Sequence, residues 1–200
     1  MKVVLKVLTV LAGLHLAMSA LSANANGPTK GPILKPDARY EERTAIAKSA
    51  IPGSGNGLFA KVKFKAGDVI GELGGELVDE PDMLNPSAYL AGLPDCAFTQ
   101  ISPYRYIDSK DHGGHVSRIN FAPSLINGKE TGFQNSRIER ICTSPWVIFV
   151  ATRDIEPGEE MFASYGPDYG YGRFMNQPHI RDYFCGLAKV DCSQKWDWEP

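Results

Sequence analysis

The chain has 200 residues, enough for one medium domain or two very small ones. Its 43% hydrophobic content, 22% charged content and full set of aromatic residues place it with globular proteins, not disordered or low-complexity chains. With 21 basic against 23 acidic residues it lacks the excess positive charge needed to grip phosphate backbones, so direct nucleic-acid binding is not expected. An acidic chain more naturally attracts a basic peptide.

Residues 1–25 read as a secretory signal peptide. Lys2 and Lys6 give a basic start, Val7 to Met18 an apolar stretch, and Ala23-Asn24-Ala25 a small-x-small cleavage site. The apolar stretch falls short of the roughly 20 residues that span a bilayer as a helix, and no later stretch is longer. The mature form is therefore expected to be free of membrane and to travel the secretory pathway or be secreted. Cys96, Cys142, Cys185 and Cys192 all follow the cut and can form two disulfides in any of three pairings, Cys185 with Cys192 being the natural local pair. None sits in a C-x-x-C pair, so no structural zinc site is expected. Asp108, Asp111, His112 and His115 resemble a metal cluster only loosely, because Gly113 and Gly114 soften that loop into a solvated turn.

In chain order, residues 26–43 are polar and rich in proline and glycine, the pattern of a linker. Thr44 to Ile51 alternates weakly as a strand, Pro52 to Gly57 forms a glycine-rich turn, and Leu58-Phe59-Ala60 begins the next strand. Lys65-Ala66-Gly67-Asp68 is a hairpin-type turn. Val69 to Val78 reads as one long strand interrupted at Gly71, Gly74 and Gly75. Residues 79–103 carry four prolines and suit a loop with at most a short helix over Pro86 to Ala91. Short strands follow at Tyr104–Ile107, Arg137–Ile141, Trp146–Thr152 and Glu160–Tyr165, with a turn at Glu156-Pro157-Gly158-Glu159. No long amphipathic helix is visible, and the expected class is mostly β.

Several chemistries are poorly served by this pattern. Gly55-Asn56-Gly57 opens a strand, not a helix, which disfavours a dinucleotide phosphate cradle. There is no G-x-S-x-G elbow and no H-E-x-x-H. Glu72 and Glu76 read as solvated strand carboxylates before they read as a glycosidase pair.

Four segments in order carry more. Gly55-Asn56-Gly57-Leu58-Phe59-Ala60, Ala66-Gly67-Asp68-Val69-Ile70 and Glu72-Leu73-Gly74-Gly75-Glu76 resemble the opening of a SET domain, the fold of protein-lysine methyltransferases. Tyr106-Ile107-Asp108-Ser109 with Gly114-His115-Val116-Ser117-Arg118-Ile119-Asn120 is similar to the central segment of that family, and Gln134-Asn135-Ser136 to its Pro-Asn element. Ile155 to Gly166 resembles its closing motif. The resemblance covers residues 44–170 and leaves 171–200 as a C-terminal aromatic tail.

The resemblance implies a fold of short strands, few short helices and a C-terminal pseudoknot that brings the Asn120 and Tyr165 segments together. It implies S-adenosylmethionine as cofactor and a protein substrate with an accessible lysine, a histone tail being one candidate, the two entering from opposite faces. Methyl transfer is an in-line displacement at carbon, so positioning and a neutral amine matter more than a strong acid or base. Tyr165 is the implied catalytic residue, orienting the amine and shaping the electrostatics at the sulfonium methyl. Ser54, Gly55, Asn56, Gly57 and Leu58 are implied cofactor contacts, mostly through main chain, together with Arg118, Asn120, Phe121 and Tyr165. Leu73, Tyr106 and Phe162 are implied to line the lysine channel. Trp196 and Trp198 either cover the cofactor or pack as a tail. No zinc is implied, because the cysteine-rich segment that follows many such domains is missing.

The sequence departs from the family pattern at Leu73, where a channel tyrosine is common, and at Phe121-Ala122-Pro123, where histidine, serine and cysteine usually follow the asparagine. The Arg118-Ile119-Asn120 stretch is also one residue short, and Ser164 replaces a frequent aspartate. These departures leave a second reading open, a catalytically weak or inactive SET-like module that binds a protein or peptide partner. Cofactor and histones are intracellular while the leader directs export, which fits a secreted protein acting inside another cell or in an organelle on that route.

Overall fold

A computed structural model describes residues 29–81, 87–167 and 169–200; the leader and its cleavage site lie outside them. The elements run β1 (Lys30–Leu34), α1 (Ala38–Glu41), β2 (Thr44–Lys48), β3 (Asn56–Ala60), β4 (Val69–Glu72), β5 (Gly75–Val78), β6 (Leu90–Gly92), α2 (Ala97–Ile101), β7 (Tyr106–Asp108), a 3-10 turn at His115–Arg118, β8 (Asn120–Phe121), β9 (Leu125–Ile126), β10 (Lys129–Glu130), β11 (Ser136–Arg140), β12 (Val147–Ala151), β13 (Phe162–Ala163), α3 (Gly172–Met175), α4 (Pro178–Ala188) and β14 (Trp198–Glu199). The fold is mostly strand, with few short helices.

Small sheets divide the work: β1-β5-β7-β6, β11-β12-β4, β10-β9-β14, the hairpin β2-β3 and the parallel pair β8-β13. The hairpin keeps strict register from Thr44↔Ala60 to Lys48↔Asn56, and its loop turns through Gly53 and Gly55, both at positive φ. The run Val69–Val78 is two strands in two sheets, because Gly74 and Gly75 also adopt positive φ and swing the chain from β12 toward β1 and β7. A side chain on Gly75 would strike the Asp108 carbonyl, so the crossing needs glycine there. Lys65–Asp68 does form a turn, closed by Asp68 N donating to the Lys65 carbonyl at 3.0 Å, but its flanks pair elsewhere, β3 with β2 and β4 with β12.

Three expectations about the ends and the proline-rich stretch need correction. Residues 30–41 are not a linker: β1 pairs with β5, and α1 is capped by Asp37, which accepts from Arg39 N. Short-range polarity hid a strand whose partner lies more than forty residues away. Part of the helix expected over residues 86–91 lies outside the described residues, and Leu90–Gly92 is strand β6; a helix forms instead at Ala97–Ile101. The tail contains an 11-residue helix, α4, started by Pro178 and ended by Lys189 in the left-handed region. Its buried Ile180 and Phe184 are four residues apart, one helical face that was readable in the sequence.

Two cores result. Leu58, Phe64, Ile70, Leu77, Ile107 and Val147 anchor the first, and Ile51, Phe121, Ile126, Met175, Ile180 and Phe184 the second. Each fully buried large side chain contributes about 1.5–3 kcal/mol. The tail supplies much of the second core, with Trp198 held in β14 opposite Ile126. Disulfides join Cys185 to Cys192, clasping the end of α4, and Cys96 to Cys142, tying the start of α2 to the β11–β12 turn.

The closing segment is enclosed on three sides. Met161 N donates to the Leu58 carbonyl at 2.8 Å and Ala60 N to that of Glu159 at 3.0 Å, docking it on β3. β13 runs parallel to β8, Phe162 opposite Asn120 and Ala163 opposite Phe121. From the third side Asn135, wholly buried, donates from Nδ2 to the Glu160 carbonyl at 2.9 Å and accepts at Oδ1 from Phe162 N at 2.9 Å. This is the pseudoknot: the end of the domain is held inside a frame of three earlier segments.

Candidate active site

The glycine loop before β3 is braced internally. Ser54 donates from Oγ to the Ile51 carbonyl at 3.0 Å, and Ser49 N donates to the Gly55 carbonyl at 3.0 Å. Gly55 sits at φ +77°, and a side chain built there would meet nothing, so this main chain faces open space. Gly57 is different. A Cβ there would overlap the Glu160 carboxylate and crowd the Asn120 amide, so its glycine serves packing within the protein and not approach to a ligand.

Glu160 was not singled out from the sequence, where it looks like one more acidic residue in the closing turn. It is buried, accepting from Ala50 N at 2.9 Å with one oxygen and from Asn120 Nδ2 at 3.3 Å with the other. Asn120 Nδ2 also donates to the Asn56 carbonyl at 3.1 Å. Glu160 and Asn120 thus lock the glycine loop, β8 and the closing segment into one unit.

Tyr165 leaves that segment and returns to β8, donating from its hydroxyl to the Ile119 carbonyl at 2.6 Å. Its main-chain N–H donates to the Tyr171 hydroxyl at 2.7 Å. Burial, with Tyr169 and Tyr171 beside it, pushes the Tyr165 phenol far above the ordinary tyrosine range, so it stays protonated and serves as a hydrogen-bonding group, not a base. The Tyr169 ring meets it edge-on at 4.8 Å.

These parts open on one cleft of about 980 Å³, at the upper end of the roughly 300–1,000 Å³ usual for ligand sites. Ser54, Gly55, Asn56, Arg118, Asn120 and Tyr165 line it, and so do Leu73 and Tyr106. Arg118 donates to the Tyr89 hydroxyl at 2.7 Å across the opening. Three further residues marked from the sequence stand elsewhere. Leu58 is fully buried in the first core, and Phe121 packs in the second core with its ring 4.2 Å from that of Tyr171. Phe162 packs against the second core, and its main chain is spent on Asn135 and Ser136. Their apolar side chains gain more from the two cores than from a polar opening. Of the two main departures from the family pattern, only Leu73 faces the cleft. Neither tail tryptophan lines it; both join the second core.

Of the loosely metal-like loop, His115 is engaged elsewhere. His115 meets Glu41 at 3.1 Å through Nε2 and Thr44 at 3.0 Å through Nδ1. Glu72 accepts from Asp37 N and Glu76 pairs with Lys30, so the two carboxylates belong to separate contacts.

The SET-domain family model matches residues 55–166, more than half of the chain, and the chain belongs to that family. It is 30% identical over 121 residues to the N-lysine methyltransferase KMT5A-A of Danio rerio, a match covering 58% of this chain and 33% of that protein. It is 33% identical over 158 residues to the histone-lysine N-methyltransferase TRX1 of Oryza sativa subsp. japonica, covering 76% of this chain and 14% of that protein. The chain thus spans a third or less of these relatives. Among solved structures, ATXR5 in complex with a mono-methylated histone H3.1 superposes with a TM-score of 0.51 at 20% identity, over 64% of this chain and 60% of that one. That likeness is one of fold.

Proposed function

We propose that the protein transfers a methyl group from S-adenosylmethionine to a lysine side chain of a protein substrate. The observation that carries this reading is the single cleft onto which the glycine loop, Asn120 and Tyr165 all converge, 45 residues or more apart in sequence. The donor set suits the cofactor. Open main chain at Ser54–Asn56 offers peptide groups to its polar parts, Arg118 a guanidinium for its carboxylate, and the rings of Tyr165 and Tyr169 an aromatic face for a sulfonium. When bound, the cofactor supplies an activated methyl on sulfur.

The residues of the chain do the rest. Leu73 and the paired Ile138 and Phe149 give the cleft an apolar surface that strips water from an entering lysine and lowers its pKa, favouring the neutral amine. The protonated Tyr165, fixed by Ile119 and Tyr171, orients that amine and needs to remove no proton itself. In-line displacement then depends on position, which the Asn120–Glu160 lock maintains. A histone tail is a fitting substrate for an acidic chain, and the leader-like residues 1–25 support export.

The test is methyl transfer from labelled S-adenosylmethionine to core histones and lysate proteins, comparing the protein with Tyr165→Phe. Label on lysine, reduced at least 100-fold by the substitution, is expected, a loss typical of removing one transition-state contact. A folded protein that binds the cofactor and labels nothing would replace this reading with that of a binding module.

A further inference from the structure

The charge of the cleft differs in sign from that of the whole chain. Among its described lining residues only Arg118 and Arg140 carry a formal charge. Arg118 stands beside Asn120, in the half assigned above to the cofactor. Arg140 stands at the end of β11, an edge strand of the sheet that also brings Ile138 and Phe149 to the cleft. Alternation along β11 sends Ile138 and Arg140 to the cleft, while Glu139 turns the other way and pairs with Arg137. The acidic neighbour in sequence is therefore spent elsewhere.

Arg140 is exposed yet held. Its Nε donates to the Gly92 carbonyl at 2.8 Å, joining β11 to β6, the edge strand of another sheet. Among the described residues it forms no ion pair, so the outer nitrogens of its fork remain for a ligand. One donor fixes the guanidinium and the others present a planar fork, the geometry that takes a carboxylate through two parallel bonds.

We propose that Arg140 selects a target lysine that has an acidic side chain close by in the substrate. The inference rests on the methyltransferase reading and narrows its substrate class: within the protein substrate, a histone tail included, the target lysine is one with a carboxylate beside it.

The experiment measures methyl transfer by the full chain to peptides identical except for one residue beside the lysine, glutamate, alanine or arginine. Glutamate is expected to exceed arginine about five- to tenfold in kcat/KM, mostly through KM, the scale of one half-exposed charge-assisted contact. Arg140→Glu should invert the order and Arg140→Lys preserve it in weakened form. Cofactor affinity serves as the folding control for both variants. Equal rates across the peptides, a preference for arginine, or an order that survives Arg140→Glu would overturn the proposal while leaving methyl transfer standing. If the core histones and every peptide stay unlabelled, the methyltransferase reading falls and this one falls with it.

Discussion

Replacing Asn135 with alanine tests whether one side chain holds the closing segment in its frame. The side chain is fully buried and satisfies two main-chain groups, the Glu160 carbonyl and the Phe162 N–H, with a weaker bond to the Glu159 carboxylate at 3.3 Å. Alanine leaves both main-chain groups without partners and opens a small cavity. At about 1–3 kcal/mol for each stranded group, the loss comes to about 2–6 kcal/mol. That is a large share of the roughly 5–15 kcal/mol by which a domain is stable. Urea unfolding followed by tryptophan fluorescence reads it directly. With a slope of about 2 kcal/mol per molar, the midpoint should drop by about 2 M. Asn135→Asp sharpens the test. It keeps the acceptor for Phe162 but sets a carboxylate oxygen against the Glu160 carbonyl. Its folded pKa is thereby raised, so part of the lost stability should return as pH falls through that value. A loss below about 1 kcal/mol for the alanine variant would refute the clip as the element that closes the fold.

The two glycines of the cofactor loop should separate cleanly. Gly57→Ala drives a methyl into Glu160 and Asn120 and should cost about 2–3 kcal/mol, whereas Gly55→Ala meets only open space and incurs the strain of positive φ, about 1–2 kcal/mol. Thermal unfolding that ranks Gly55→Ala as the more damaging would contradict the packing described. Acid should unfold the protein by releasing depressed carboxylates. Burial pushes the Glu159 carboxyl up, but hydrogen bonds from Arg153, Glu156 N–H and Asn135 outweigh it and hold the group below its ordinary value; Arg39 holds Asp37 at about 2. Both contribute stability above their unfolded values, lost as pH falls through the folded ones, so the unfolding free energy should decline steadily below about pH 4.5. A flat profile from pH 5 to pH 2 would exclude this linkage.

Local signals in the sequence were strong where a residue answers to its neighbours. Gly53 and Gly55 mark a turn because only glycine sits easily at positive φ, and the apolar run Val147–Ala151 marks a strand buried on both faces. Four motifs in order were enough to indicate the SET fold and to single out Asn120 and Tyr165. The same local reading failed where partners are distant. Residues 30–34 look like linker because their partner β5 is remote, and Val69–Val78 looks continuous because nothing local says that its halves serve different sheets.

What the amino-acid order determined by itself was therefore the class of the fold, the turns and the identity of the motifs. Tertiary structure alone decided which motif residues face the cleft. Leu58 and Phe121 lie within motifs and yet turn to the cores, whereas Glu160, a plain acidic residue in the sequence, becomes the buried joint beneath the glycine loop. Burial and hydrogen-bond satisfaction depend on segments that meet only after the chain has closed on itself, and no local pattern records which of a residue's two faces that closure will cover.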